Sequence, residues 1–169
     1  ARLNSSDAFF MTPAINKPLP EFEAVATGGL KIGPDTFHGQ AVVLYFYPKD
    51  HTPGCTTEAC NFRDDLPAMR ALNVQILGLS VDDTKSHARF AEKYHLPFPL
   101  LADTEGYVAR AYGSLWSIGP MRIAKRHTFI IDPDGRVAKI YRSVKPADHS
   151  RELQQDLKAL QKGPSGTRK

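Results

Sequence analysis

The stretch Tyr45-Phe46-Tyr47-Pro48-Lys49-Asp50-His51-Thr52-Pro53-Gly54-Cys55-Thr56-Thr57-Glu58-Ala59-Cys60 holds both cysteines of the chain, five residues apart. Ala41 to Tyr47 leads into it as a continuous apolar run rich in β-branched and aromatic residues, the pattern of a strand covered on both faces. A helix is expected to leave it. Thr52 is a favoured N-cap, whose hydroxyl is expected to accept a hydrogen bond from an early backbone N–H. Pro53 suits the first helical position, where its missing N–H costs nothing. Counting on, Cys55 is the third helical residue and lies in the first turn. Unpaired N–H groups and the positive end of the helix dipole favour an anion there. Thiols so placed ionise more readily than free cysteine, and the thiolate is the nucleophile. Gly54 allows close approach of a substrate to the backbone.

Cys60 has a different place. On an undistorted helix, residues five apart differ by about 140° around the axis and about 7.5 Å along it, so their Cα atoms are roughly 8–9 Å apart. A disulfide needs about 4.4–6.8 Å. The two cysteines pair only if the first turns unwind. Isolated cysteines are most often buried core residues; the Thr-Pro cap and the first-turn position favour catalysis for Cys55.

Pro48-x-x-x-Thr52-x-x-Cys55 resembles the active-site signature of the peroxiredoxins. The fuller string Thr52-Pro53-Gly54-Cys55-Thr56, with Cys60 following, resembles their bacterioferritin-comigratory-protein or peroxiredoxin Q subgroup. The resemblance runs from about Lys17 to Leu160. It implies a thiol-dependent peroxidase of the atypical 2-Cys kind, in which Cys55 is the peroxidatic cysteine and Cys60 the resolving one. It also implies that Pro48 shields the thiolate and that Thr52 hydrogen-bonds thiolate and peroxide. Arg126, in Arg126-His127-Thr128-Phe129-Ile130-Ile131-Asp132, matches the family's arginine before a late strand. Glu58 and Arg63, further along the same helix, are weaker candidates for orienting the site. The implied substrates are hydrogen peroxide and organic hydroperoxides. The Cys55–Cys60 disulfide would be recycled by thioredoxin, with no cofactor or metal. The subgroup is often monomeric.

The 169 residues suit one domain with a substantial core. The formal charge of +4 comes from scattered cations, which reads as a solvated surface rather than a nucleic-acid patch. No apolar run approaches a membrane span. Two closely spaced cysteines are no disulfide framework; they point to redox chemistry in a reducing, cytoplasmic compartment. Residues 1–10 lack periodicity and are expected to be an appended leader or disordered N-terminus, with the domain spanning 11–162 and a frayed tail over 163–169. A targeting segment lost before residue 1 is compatible with this reading.

Around the cysteine stretch, Lys17 to Ala26 and Leu30 to Ile32 read as an extended opening segment with short strands. The helix from Pro53 is expected to run to about Arg63, with a fresh start or kink at Asp64-Asp65 before Pro67. Val74 to Ser80 is a second buried strand. Asp82 or Asp83 caps a helix reaching His95, with Phe90, Ala91 and Tyr94 inward. Leu100 to Ala102 is a short strand, Glu105 to Tyr112 a helix, and Ser114 to Lys125 a loop carrying Trp116 near the site. Arg126 to Ile131 and Arg136 to Tyr141 form a hairpin around Asp132-Pro133-Asp134-Gly135. Leu153, Leu157 and Leu160 mark a last helix. This order gives an α/β fold, a mixed central sheet with helices on both faces. It resembles the thioredoxin-like fold, as the family implies.

Two other readings fit parts of the pattern. A protein disulfide oxidoreductase would normally carry C-x-x-C rather than C-x4-C. A metal-binding module using His51, Cys55 and Cys60 would have three ligands, one short of a closed zinc site.

Overall fold

The computed structural model describes the backbone of Arg2–Leu3 and residues 13–162. In chain order the elements are β1 (Arg2–Leu3), β2 (Phe22–Ala26), β3 (Lys31–Ile32), a 3-10 turn (Pro34–Phe37), β4 (Ala41–Phe46), α1 (Pro53–Ala71), β5 (Val74–Ser80) and α2 (Thr84–Tyr94). Then come β6 (Leu100–Ala102), α3 (Tyr107–Ala111), β7 (Leu115–Ile118), β8 (Met121–Ala124), β9 (Thr128–Ile131), β10 (Val137–Tyr141) and α4 (His149–Lys162). The main sheet has the order β1-β2-β6-β5-β4-β9-β10, with β3 on β2. Strands β4, β5 and β6 are parallel; β9 lies antiparallel to β4, and β10 to β9.

Strand β4 lies inside this sheet, and every one of its residues is buried. Val43, Tyr45 and the following Tyr47 enter one core with Phe62, Met69, Phe90 and Leu153, contributed by α1, α2 and α4. Val42, Leu44 and Phe46 enter the other with Val108, Ala109 and Tyr112 around α3 and with Phe129. Side chains alternate faces along a strand. With helices on both, each position of β4 needs an apolar residue, which is why the run shows no alternation.

Three local readings of the sequence need correction. Helix α1 is continuous from Pro53 to Ala71 with Pro67 inside it, rather than broken near Arg63. Pro67 forfeits one backbone hydrogen bond, but Leu66 and Met69 on either side of it are buried in the core and keep the helix intact. Residues 114–125 are not a loop: β7 and β8 form a separate hairpin that pairs Trp116 with Ile123 and Ile118 with Met121. Trp116, Ile118 and Met121 are exposed, so the apolar-in, polar-out alternation of a half-buried strand is missing. Helix α3 is shorter than expected because Gly106, at φ 74°, turns the chain just before Tyr107.

The cap of α2 is Asp83, whose carboxylate accepts from the Ser86 N–H at 2.8 Å. Its inward face carries His87 as well as Phe90, both buried. Arg2–Leu3 pairs with Phe22 and Glu23. The rest of residues 1–10, and 163–169, lie outside the described residues, as do the readings made for them. No helix among the described residues is long and apolar enough to cross a membrane.

Candidate active site

Cys55 is the third residue of α1 and is 1% exposed. Thr52 is the N-cap, in an extended conformation. Its hydroxyl does not accept from a helical N–H, as the cap pattern led one to expect; it donates to the Lys49 carbonyl at 2.8 Å. The loop folds back through His51, at φ 64°, which brings that carbonyl within reach. Pro48, at the start of the loop, is half-buried.

Arg126 arrives from the start of β9, the strand paired with β4. The Phe46 N–H donates to the His127 carbonyl at 2.7 Å, and Tyr45 pairs with Thr128, so the start of β9 runs beside the exit of β4. The guanidinium donates through Nη2 to Cys55 Sγ at 3.3 Å and through Nη1 to Glu58 Oε1 at 3.0 Å. One fork thus spans two residues of the first helical turns. Gly54 makes room for it: a Cβ there would sit 3.1 Å from Nη2.

Glu58 is 1% exposed. One carboxylate oxygen is held by Arg126, and the other is buried without a hydrogen-bond partner among the described residues. Burial pushes its pKa up to about 7 against the opposing pull of Arg126. The Tyr45 hydroxyl is likewise buried and unpartnered among the described residues. Its pKa is raised by burial first and then by the negative charge of Glu58 and Cys55, which places it beside the same site.

Cys60 is half-buried further along α1, and both thiols are free. The unbroken helix keeps them on different faces, as the helical spacing requires. Arg63 serves elsewhere: it bonds Asp64 and, through Nη1, the Tyr94 carbonyl at 2.7 Å, tying α1 to the end of α2. Of the two weaker orienting candidates, the structure therefore joins Glu58, and not Arg63, to the guanidinium that reaches Cys55. Trp116 stands on the exposed hairpin. His51 is exposed and meets the Phe90 ring edge to face at 5.1 Å. Among the described residues, the cluster whose ligand atoms converge as a metal site requires is Asp50, Asp82 and His87 rather than His51, Cys55 and Cys60.

Two groups escaped the sequence reading. Asp50 and His87 form a buried pair, at 2.8 Å, between the loop and α2. His127, next to Arg126, accepts at Nδ1 from Arg142 Nη1 at 2.9 Å. Burial and the adjacent Arg142 and Lys125 push its pKa down to about 4, so it is neutral where it ties the start of β9 to Arg142. The sequence signal for His87 was a lone polar residue at helical spacing from Phe90; for His127 it was adjacency to Arg126.

Residues 15–140 match the AhpC/TSA family. Peroxiredoxin Bcp of Bacillus subtilis is 42% identical over 156 residues, covering 89% of this chain and 98% of that protein. The chain belongs to the AhpC/TSA family, as a peroxiredoxin of the Bcp and peroxiredoxin Q type. Among solved peroxiredoxins, a mutant of Xylella fastidiosa PrxQ superposes with a TM-score of 0.83 at 31% identity, over 89% of this chain and 98% of that one. The bacterioferritin comigratory protein of Xanthomonas campestris gives 0.79 at 31% identity, over 94% and 96%. The peroxiredoxin fold expected from the sequence, a thioredoxin-like mixed sheet with helices on both faces, is the one observed. As a peroxiredoxin, the protein is a thiol-dependent peroxidase.

Proposed function

We propose that Cys55 is the peroxidatic cysteine and Cys60 the resolving one, acting on hydrogen peroxide and organic hydroperoxides. The observation that carries this is the position of Cys55 Sγ in the first turn of α1, 3.3 Å from Arg126 Nη2. The thiolate attacks the terminal peroxide oxygen. The O–O bond breaks, the S–O bond forms, and the departing oxygen takes a proton to leave as water or an alcohol. Sulfur is oxidised by two electrons and the peroxide is reduced by two. Negative charge grows on the leaving oxygen, where fixed donors stabilise it most. The Arg126 fork and the first-turn N–H groups are those donors. The Thr52 hydroxyl has its proton on Lys49, so its lone pairs are available to accept from the hydroperoxide O–H. Pro48 shields the sulfur from bulk water. Glu58 holds the far side of the guanidinium and fixes its aim.

The sulfenic acid then condenses with the Cys60 thiol. The S–S bond forms, the S–O bond breaks, and the hydroxyl leaves as water after taking the thiol proton; this is the reversible branch of cysteine oxidation. The first turns of α1 must unwind for the sulfurs to meet. An external dithiol protein, thioredoxin by resemblance, returns both thiols to the reduced state. That cycle suits a monomer in the cytoplasm, with 11–162 as the working domain. Organic hydroperoxides are included because the similar X. campestris protein has alkyl peroxide reduction activity.

Cys60→Ser tests the assignment. Steady turnover with a recycling donor should collapse while single-turnover oxidation of Cys55 survives. Undiminished steady turnover would remove Cys60 from the mechanism, and survival of single-turnover oxidation in Cys55→Ser would remove Cys55.

A further inference from the structure

The loop between β4 and α1 carries a second buried carboxylate, Asp50, which the peroxide chemistry does not use. Asp50 and His87 have side chains 1% and 0% exposed. Asp50 Oδ1 accepts from the Tyr47 hydroxyl at 2.6 Å. Its Oδ2 faces His87 Nδ1 at 2.8 Å and accepts from the Ser86 hydroxyl at 2.8 Å. Its backbone N–H donates to Asp82 Oδ2 at 2.8 Å, an oxygen that also accepts from the Ser80 hydroxyl at 2.6 Å.

The protonation of His87 follows from its partners. Nε2 lies 2.9 Å from the Leu101 carbonyl oxygen, which can only accept, so Nε2 carries a hydrogen. Nδ1 faces a carboxylate oxygen, so a proton also lies between Nδ1 and Asp50. The pair is a buried, charge-assisted bridge from the loop to the first turn of α2 and on to β6. Asp50, Asp82 and His87 have ligand atoms within 4.8 Å of one another, as a cation site would require. Each of the close atoms is already engaged within the protein, so the cluster serves as a clamp. Both the side chain and the main chain of Asp50 are fastened, two residues before the cap of α1.

We propose that Asp50 and His87 are positioning residues for the peroxidase reaction: their bridge fixes the loop in the register that presents Thr52 and Cys55 to peroxide, and it is the fixed end against which the first turn of α1 unwinds. This rests on the assignment of Cys55 and Cys60 given above. A tight clamp favours the wound, peroxide-reactive helix. A weakened clamp favours the unwound helix in which Cys55 reaches Cys60. The two half-reactions therefore respond in opposite directions, which loss of folded protein alone would not produce.

Asp50→Asn and His87→Gln, with the double variant, test it by rapid-quench mass spectrometry of the reduced protein mixed with hydrogen peroxide. The second-order rate of Cys55 oxidation should fall about tenfold in either single variant, the scale of one lost charge-assisted hydrogen bond. The first-order rate of disulfide closure should rise, and sulfinic acid should need more peroxide to form. The double variant should be no slower at oxidation than the worse single one, because both sever the same bridge. Where these variants fold poorly, Ser86→Ala removes one hydrogen bond to Asp50 and should move both rates the same way by a smaller factor. Unchanged rates in folded variants overturn the proposal, as do two rates that fall together. If the wild-type protein itself forms no Cys55–Cys60 disulfide, the assignment of the cysteines fails instead.

Discussion

Two carboxylates flank Cys55 in sequence, Asp50 before it and Glu58 after it. They are equally hidden, at 3% and 1% exposure, and each is joined to a cationic partner. Their acidities move in opposite directions. Burial pushes Asp50 up, but the hydrogen bond and charge of His87, with the hydroxyls of Tyr47 and Ser86, outweigh it and hold the carboxyl below its usual range. Burial pushes Glu58 up to about 7, and Arg126 alone does not reverse it. Burial weighs more heavily on Glu58, and the second oxygen differs as well. On Asp50 it is bonded; on Glu58, among the described residues, it is not. His87, with the Tyr47 and Ser86 hydroxyls beside it, keeps the Asp50 carboxylate ionised. The loop is thus locked, while the Arg126 fork rests on a group that titrates close to neutral pH.

The largest expected effect is on the locked side. Asp50→Ala leaves His87 without its partner and should cost about 3–5 kcal/mol, measured by urea unfolding at neutral pH. A loss under about 1 kcal/mol would mean that the pair is no better than an exposed one.

The next effect is a pH dependence, and the two sites differ in sign. Asp50 is more acidic in the folded state, so its contribution is present above its unfolded value, about pH 4, and is lost as pH falls through the folded value. Glu58 is less acidic in the folded state, at about 7. Its folded form retains a proton that the unfolded chain has released, so stability falls as pH rises from its ordinary range to about 7 and then levels. The total is on the order of 3 kcal/mol. Glu58→Gln should remove that decline. Unfolding curves for both proteins between pH 5 and 8, about the width of the titration, should converge at the acid end and separate at the alkaline end. Parallel curves would contradict the assigned titration.

A smaller change is expected in chemistry. Glu58→Gln keeps a hydrogen-bond acceptor for Arg126 but removes the charge, and the rate of Cys55 oxidation at neutral pH should change by less than about tenfold, whereas Glu58→Ala frees the guanidinium and should slow it by about tenfold or more. Gly54→Ala separates stability from activity. Alanine is the better helix former by up to about 1 kcal/mol, yet its Cβ would stand 3.1 Å from Arg126 Nη2. Oxidation of Cys55 should slow severalfold with stability unchanged or raised; an unaffected rate would show that the guanidinium has room to give.

The parts of this arrangement written locally were legible in the sequence. The apolar run of β4, Pro53 after Thr52 and the first-turn place of Cys55 each depend on neighbours in the chain. The long α1 was misread where core packing overrode the local signal of Pro67, and the β7–β8 hairpin because exposed Ile118 and Met121 left no alternation to read. The cap at Thr52 was placed correctly, but its hydroxyl had a competing acceptor in Lys49. The pairs that aim the site join residues 37 and 68 positions apart, Asp50 with His87 and Arg126 with Glu58. No periodicity encodes such pairings. Arg126 came from a family resemblance, and Glu58 was only a weak candidate beside Arg63, which faces α2.

Whether Cys55 and Cys60 form the redox pair is decided most directly by mass spectrometry of the reduced protein after a stoichiometric dose of hydrogen peroxide. Tryptic cleavage after Lys49 and Arg63 leaves both cysteines in one peptide. This peptide should lose two hydrogens in the wild-type protein and gain a single oxygen on Cys55 in Cys60→Ser. Consumption of the peroxide with that peptide unchanged, or with Cys55 linked to another chain, would contradict the pairing.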